Sequence, residues 1–429
     1  MELAARSTLS IGDAPGVQGP SSHRDESDLY VMCMDANHRS GATSGRVVCG
    51  LSGGALACVD VHAGRPGLSL AASMARAHGA GGVAGVASLS SGRALSCGAD
   101  GAVRLWDFRA SASQRSACGE WMLGDEVTCI ACAEDDSMIA CGTERGLVHL
   151  FDLRKVGSVP SACITEAHTE PVCHVSFSSR SDSGGTYLMT AGVDGLLCVF
   201  DMSDAMHSKR FKEEERYVSV LNSQSSVAVA RMFGKSGKET KAFAITHDQT
   251  LSVFDWQANT SLAYSRCARE EATAAASMSS CGASAGVDYI ITGGFDEASE
   301  RLLVATGSAH GDVTVFPIRN YEIPGTSNDM EVDGDDPMTN MESMFEQPVA
   351  HLRNGHGGNI VRCALFSPYE SPCVCLLTGC EGGFVSLWDT NLTHDDAGNE
   401  TGADGSRRGN YTTFKARRKP EWRVSGRPY

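Results

Sequence analysis

The sequence predicts an all-β protein in which seven copies of one small sheet unit close into a ring, and three observations carry that prediction. A motif recurs: SCGADGAVRLWD, Ser96 to Asp107, sets a Gly-Asp turn before an alternating apolar strand that ends in Trp-Asp, and shorter versions of it return along the chain. The copies are spaced at a near-regular period. Glycine is abundant, at 47 of 429 residues, which suits many tight turns because glycine enters positive φ without steric cost.

Taken in chain order, the motif ends at Asp60 (ALACVD), Asp107, Asp152 (GLVHLFD), Asp201 (GLLCVFD), Asp255 (TLSVFD), Pro317 (DVTVFP) and Asp389 (FVSLWD). Successive ends lie 47, 45, 49, 54, 62 and 72 residues apart. The first three intervals fit a repeat of about 40 to 45 residues, and the later ones require insertions. Each end strand follows a second strand across a glycine turn, as in SMIACGTERG, YLMTAGVDG and LLVATGSAHGD. Upstream of each pair stands another apolar run: YVMCMD, VAGVASL, VTCIACA, VCHVSF, VAVARMF, YIITGG and IVRCALF. Every unit therefore holds at least three strands. One such sheet cannot bury both of its faces, whereas a ring buries each sheet between two neighbours.

This pattern resembles the WD-repeat family, whose units are the four-stranded blades of a β-propeller. The resemblance implies a seven-bladed WD-repeat β-propeller over residues 28–391, with disordered termini at 1–27 and 392–429 and an acidic loop insertion at 321–347. It also implies closure by an early segment, with LAARSTLSI (Leu3 to Ile11) adding the outer strand of the last blade. The family's hydrogen-bonded tetrad maps onto His78, Ser96, Asp100 and Trp106 in the second blade. Partial tetrads fall at His168, Thr190 and Asp194, where Phe200 replaces the tryptophan, and at His356, Thr378 and Trp388, where Gly382 replaces the aspartate. A narrower resemblance, to one intracellular seven-bladed member, rests on AITHDQTLSVFD, VDYIITGGFDE, NGHGGNIVRCALFSP and a short basic tail.

Chemistry is sparse by comparison. His78, Ser96 and Asp100 are the residue types of a hydrolytic triad, but Ser96 lies inside the alternating strand ALSCG rather than on an exposed G-x-S-x-G elbow. Cys129 and Cys132 form a C-x-x-C, yet residues three apart on a strand face opposite ways, and no second ligand pair stands at zinc spacing. The 17 cysteines read as small buried hydrophobes of a reducing compartment. HGAGGVAG and GHGGN are each followed by a strand rather than a helix, so they read as turns and not as phosphate cradles. No enzyme activity, metal or cofactor is expected.

The exposed features point to protein partners. WDFR, Trp106 to Arg109, matches a Trp-Asp-x-Arg box that the resemblance links to substrate receptors of cullin-RING ubiquitin ligases. FDLR in the next blade keeps Asp152 and Arg154, so Arg109 and Arg154 are expected side by side on the bottom face as a candidate adaptor contact with Trp106, Asp107 and Asp152; the alternative is that each arginine caps its strand or pairs with the Asp of its own blade. Residues 321–347 carry eight acidic residues and no Lys or Arg, a candidate lure for a basic partner. KARRKPEWR in the tail fits a nuclear-import patch. The net charge of −16 opposes phosphate backbones, so direct nucleic-acid binding is not expected. Neither a membrane-length apolar run nor a signal-peptide layout is present, and a cytoplasmic or nuclear location is expected.

The expected function is a non-enzymatic scaffold for protein-protein interactions, monomeric within a larger complex. Its partner surface would be the top face, where turns at Asp100, Asp194, Asp248 and His310 neighbour the loops of His78, His168 and His356. Two alternatives stand beside it: a cullin-RING substrate receptor, and a nuclear or ribosome-assembly scaffold.

Overall fold

The computed structural model describes residues 2–4, 7–11, 30–36, 44–62, 67–79, 81–109, 117–155, 159–179, 185–203, 211–278, 286–297, 299–319, 343–367 and 374–390. The basic tail, most of the acidic insertion and residues 12–29 lie outside them. The described strands form seven sheets, five of them four-stranded antiparallel meanders running from the ring's axis outward, the sixth and seventh each completed by an N-terminal strand. The second blade shows the pattern: Val83–Ser88 is innermost, followed by Arg93–Gly98, Ala102–Asp107 and the outer Ala117–Met122.

Each innermost pair is bulged at the same place. The register slips at Val31/Cys33, Val83/Gly85, Val127/Cys129, Val172/His174, Val227/Val229, Ile290/Thr292 and Val361/Cys363. A bulge adds local right-handed twist, and here it sits where each inner strand begins.

The blades are tied together beside those bulges. The Cys33, Cys129 and Cys363 thiols reach the carbonyls of Val83, Val172 and Val31 in the next blade, at 4.0, 3.5 and 3.5 Å. Burial pushes the Cys33 and Cys129 thiols up to about 12, so they stay protonated as weak donors. Between the sixth and seventh blades the Tyr289 hydroxyl takes over, donating to the Val361 carbonyl and accepting its N–H, both at 3.0 Å. Gln249 holds the Ile290 N–H in the same way between the fifth and sixth. Three of these junctions need glycine opposite. A Cβ on Gly50, Gly142 or Gly379 would stand within 2.6 to 2.9 Å of the cysteine sulfur and 2.6 to 2.7 Å of the next blade's valine.

Closure uses two blades rather than the one expected. Ser7–Ser10 pairs antiparallel with Phe384–Thr390 and completes the seventh blade, but Glu2–Ala4 runs parallel to Ala350–Arg353 and adds a fifth strand to the sixth. The expected single strand over Leu3 to Ile11 is thus divided between neighbouring sheets. Ile11, fully buried, packs with Val31, Val47, Leu365 and Leu387, joining the first and last blades.

The one α-helix among the described residues, α1 (Ala268–Ser277), was not foreseen. It is alanine-rich with Glu270 and Glu271 in its first turn, both favourable to helix. Ala268, Ala272, Ala275 and Ala276 turn inward between the fifth and sixth blades. Glu271 accepts the Ser265 hydroxyl at 2.5 Å and the Met344 N–H at 2.9 Å. Met344 and Phe345 are buried, with Phe345 edge-on to Phe316 at 5.6 Å. The expected disordered insertion of 321–347 therefore ends sooner: residues 343–347 belong to the blade, because two large apolar side chains there outweigh the flanking charge.

Gly142→Ala should lower stability by about 1 to 3 kcal/mol through overpacking at the blade junction, read as a drop in thermal midpoint. Gly286→Ala, where nothing lies within 4 Å of the added carbon, is the matched control and should leave the midpoint near wild type.

Candidate functional site

Two groups of polar side chains stand out, one on each face of the ring. On the top face, where links between blades meet the turns between second and third strands, the second blade brings its four expected residues together. Trp106 Nε1 donates to Ser96 Oγ at 2.8 Å, and Ser96 lies 2.6 Å from His78 Nε2. The indole can only donate, so Ser96 accepts from it and gives its own proton to Nε2. The other imidazole nitrogen then carries hydrogen and meets Asp100 at 2.9 Å. Ser96 is fully buried and hydrogen-bonded on both sides.

Arg104 joins this chain and was missed in the sequence. Its guanidinium bonds Asp100 at 2.6 Å, Glu120 at 2.8 Å and the Ala77 carbonyl at 3.0 Å. The signal existed: Arg104 stands two residues before Trp106 in an alternating strand and so shares its face. Burial alone would raise the Asp100 carboxyl, but hydrogen bonds from Arg104 and His78 outweigh it and hold it at about 2. Burial lowers His78 despite the pull of Asp100.

The partial tetrads are graded. In the fourth blade His168 meets Thr190 at 2.8 Å and Asp194 at 3.1 Å, while the Phe200 ring fills the indole's place and packs, tilted, against Tyr217. In the seventh, Trp388 donates to Thr378 at 2.7 Å and Thr378 to His356 at 2.6 Å, but His356 Nδ1 is buried without a partner. Burial lowers His168, and it brings His356 down to about 4.

On the bottom face each arginine of the expected box is clamped by its own blade. Arg109 donates from its backbone N, Nε and Nη2 to Asp107 at 3.0, 2.9 and 2.6 Å. Arg154 repeats the clamp on Asp152 at 3.0, 2.8 and 2.9 Å. The arginine hydrogen bonds bring Asp107 to about 2 and lower Asp152. Both guanidinium side chains remain about three-fifths exposed, at 61% and 62%, so each is oriented yet open to a partner. Arg46 and Asp60 form a third pair in the first blade at 2.9 Å. Trp106 points into the interior instead.

Cys129 and Cys132 face different blade junctions. Among the described residues no group of His, Cys, Asp and Glu could hold a metal ion, and no helix is long and apolar enough to cross a membrane. A family model described as "WD domain, G-beta repeat" matches residues 71–107, 161–201 and 346–389, which end on the third strands of the second, fourth and seventh blades. These are the three blades with a tetrad histidine. No curated protein matches the chain.

Trp106→Phe leaves Ser96 without its indole donor and should cost about 1 kcal/mol in a denaturant titration. The pH dependence has a defined sign. Folded His356 binds its proton only near pH 4, whereas the unfolded residue does so at about 6.5, so the unfolded chain binds more protons between those values. Its contribution is complete above pH 6.5 and is lost as pH falls towards 4, about 3 kcal/mol in all. The urea midpoint should fall through that window, and Asp100 adds a further loss from about pH 4 towards 2.

Proposed function

This chain carries WD repeats and folds as a seven-bladed β-propeller, and from that premise we propose that it is a non-enzymatic scaffold mediating protein-protein interactions. One observation carries the reading. The groups that might have done chemistry, Ser96 with His78 and Asp100, are hydrogen-bonded to one another, and Ser96 and His78 are buried, so the molecule offers partners two rings of loops. The narrower resemblance, to WD repeat-containing protein 89, is in keeping with an intracellular scaffold in the cytoplasm or nucleus, monomeric within a larger complex. The acidic charge balance and the KARRKPEWR segment support that location.

A second reading has its own support. The clamped, outward arginines Arg109 and Arg154 on adjacent blades suit bidentate recognition by an adaptor, as a cullin-RING substrate receptor requires. The nuclear or ribosome-assembly reading depends instead on the acidic insertion and basic tail.

Affinity capture from cells, read by mass spectrometry, separates these. Wild type, Arg109→Glu/Arg154→Glu and a chain ending at residue 390 are compared, each with its melting temperature. Stable partners in every capture and no associated turnover are expected for the scaffold. Loss of a ligase adaptor from an equally stable double variant would favour the receptor, and loss of partners on truncation would favour the nuclear scaffold. A catalytic turnover abolished by Ser96→Ala in a folded protein would overturn the non-enzymatic reading.

A further inference from the structure

The seventh blade keeps a buried donor whose acceptor is missing. Trp388 donates to Thr378, and Thr378 in turn to His356 Nε2, so Nδ1 must carry the imidazole hydrogen. In the second and fourth blades the same nitrogen meets Asp100 at 2.9 Å and Asp194 at 3.1 Å. Those carboxylates also accept the N–H of the residue after the histidine, Gly79 at 3.4 Å and Thr169 at 3.1 Å. They close the turn through Ala102 and Leu196, at 3.2 and 3.1 Å. The chain has thus built a carboxylate-shaped set of donors twice over.

In the seventh blade Gly382 stands at that place, and its φ of +89° with Gly383 at +73° makes a bare glycine turn. His356 is only 1% exposed and its Nδ1 has no partner. The following residue, Gly357, is exposed, and nothing lies within 4 Å of where a Cβ would stand on it or on Gly358. Two side chains border the gap: Asn359, whose amide donates to the His356 carbonyl at 2.8 Å and lies 3.2 Å from the Cβ position of Gly382, and Phe384, whose ring edge lies 3.3 Å from it. The neighbouring carboxylate, Glu381, is engaged by Arg362 at 2.8 Å.

We propose that this notch on the top face of the seventh blade is a carboxylate-binding site, completed by an aspartate or glutamate side chain of a partner protein. The incoming carboxylate takes the place that Asp100 and Asp194 hold in their blades, accepting His356 Nδ1–H through one oxygen and the Gly357 N–H through the other. A carboxylate suits this better than a neutral acceptor because its bonds are charge-assisted and it offers two oxygens. Asn359, half-buried, turns aside to admit it. The scaffold reading supplies only the source of the carboxylate; the donor set stands apart from it.

The test is an NMR titration of the full chain labelled with ¹⁵N-histidine, using the capped tripeptide acetyl-Gly-Asp-Gly-amide and its Asn twin at matched ionic strength. The expected result is a saturable downfield shift of the His356 Nδ1 proton with the Asp peptide alone, while the His78 and His168 protons stay still. Gly382→Asp, whose turn must leave the φ of +89° to bring a carboxylate to the place of Asp100, should then start from the shifted position and ignore the peptide. No saturable shift, an equal shift with the Asn twin, or an unchanged response in a folded Gly382→Asp variant overturns the site. Should that variant not fold, the Asp-Asn contrast in the wild type decides alone. The capture experiment reads the scaffold function separately, so either idea can fail without the other.

Discussion

A ring of sheets gains its stability from the last junction to form, because until then one blade at each end exposes an apolar face. Here that junction is the strand Ser7–Ser10 laid against Phe384–Thr390, with Ile11 pressed between the first and last blades. Thr8 bonds Ser386 at 3.0 Å and the Ile11 N–H reaches the Gly383 carbonyl at 2.9 Å, so the closing strand is anchored from its middle to its end. Both faces of the molecule inherit their geometry from this closure. The tetrads and the arginine clamps hold their places only because each blade is wedged between two others.

The junctions themselves are made with unlike side chains for one purpose. A thiol, a phenol or an amide from one blade reaches the start of the next inner strand, as Cys129, Tyr289 and Gln249 do. Thiol hydrogen bonds are weak singly. Their setting gives them effect, since Gly50, Gly142 and Gly379 let the strands approach until sulfur and valine fill the space a Cβ would need. Three of the 17 cysteines, Cys33, Cys129 and Cys363, thus serve as an interlocking device between blades.

The same constraint explains how the tetrads can erode. A blade held on both sides tolerates Phe200 in place of an indole, and the aromatic surface it packs on Tyr217 offsets the missing donor. Gly382 is a different loss, because an acceptor has gone while its donor remains buried. The bottom face shows the opposite economy. Arg109 and Arg154 are held by carboxylates of their own strands and still present their outer edges to solvent.

The repeat, the seven blades and the pairing of His78 with Ser96, Asp100 and Trp106 were legible in the sequence, because strand alternation and turn glycines act over a few residues and return at each period. Arg104 could have been read from its place two residues before Trp106. What the sequence could not decide depended on neighbours distant in the chain. The division of the N-terminal segment between two blades follows from which sheet edges remain open once the ring is assembled. The burial of Met344 and Phe345 at the end of an acidic stretch follows from the groove beside α1 and Phe316. The self-pairing of Arg109 and Arg154 joins residues two apart and is local, whereas the orphaned nitrogen of His356 is a matter of a few ångströms between side chains. Local pattern determines which strands exist; the packing of one blade on another decides which polar groups are satisfied and which are not.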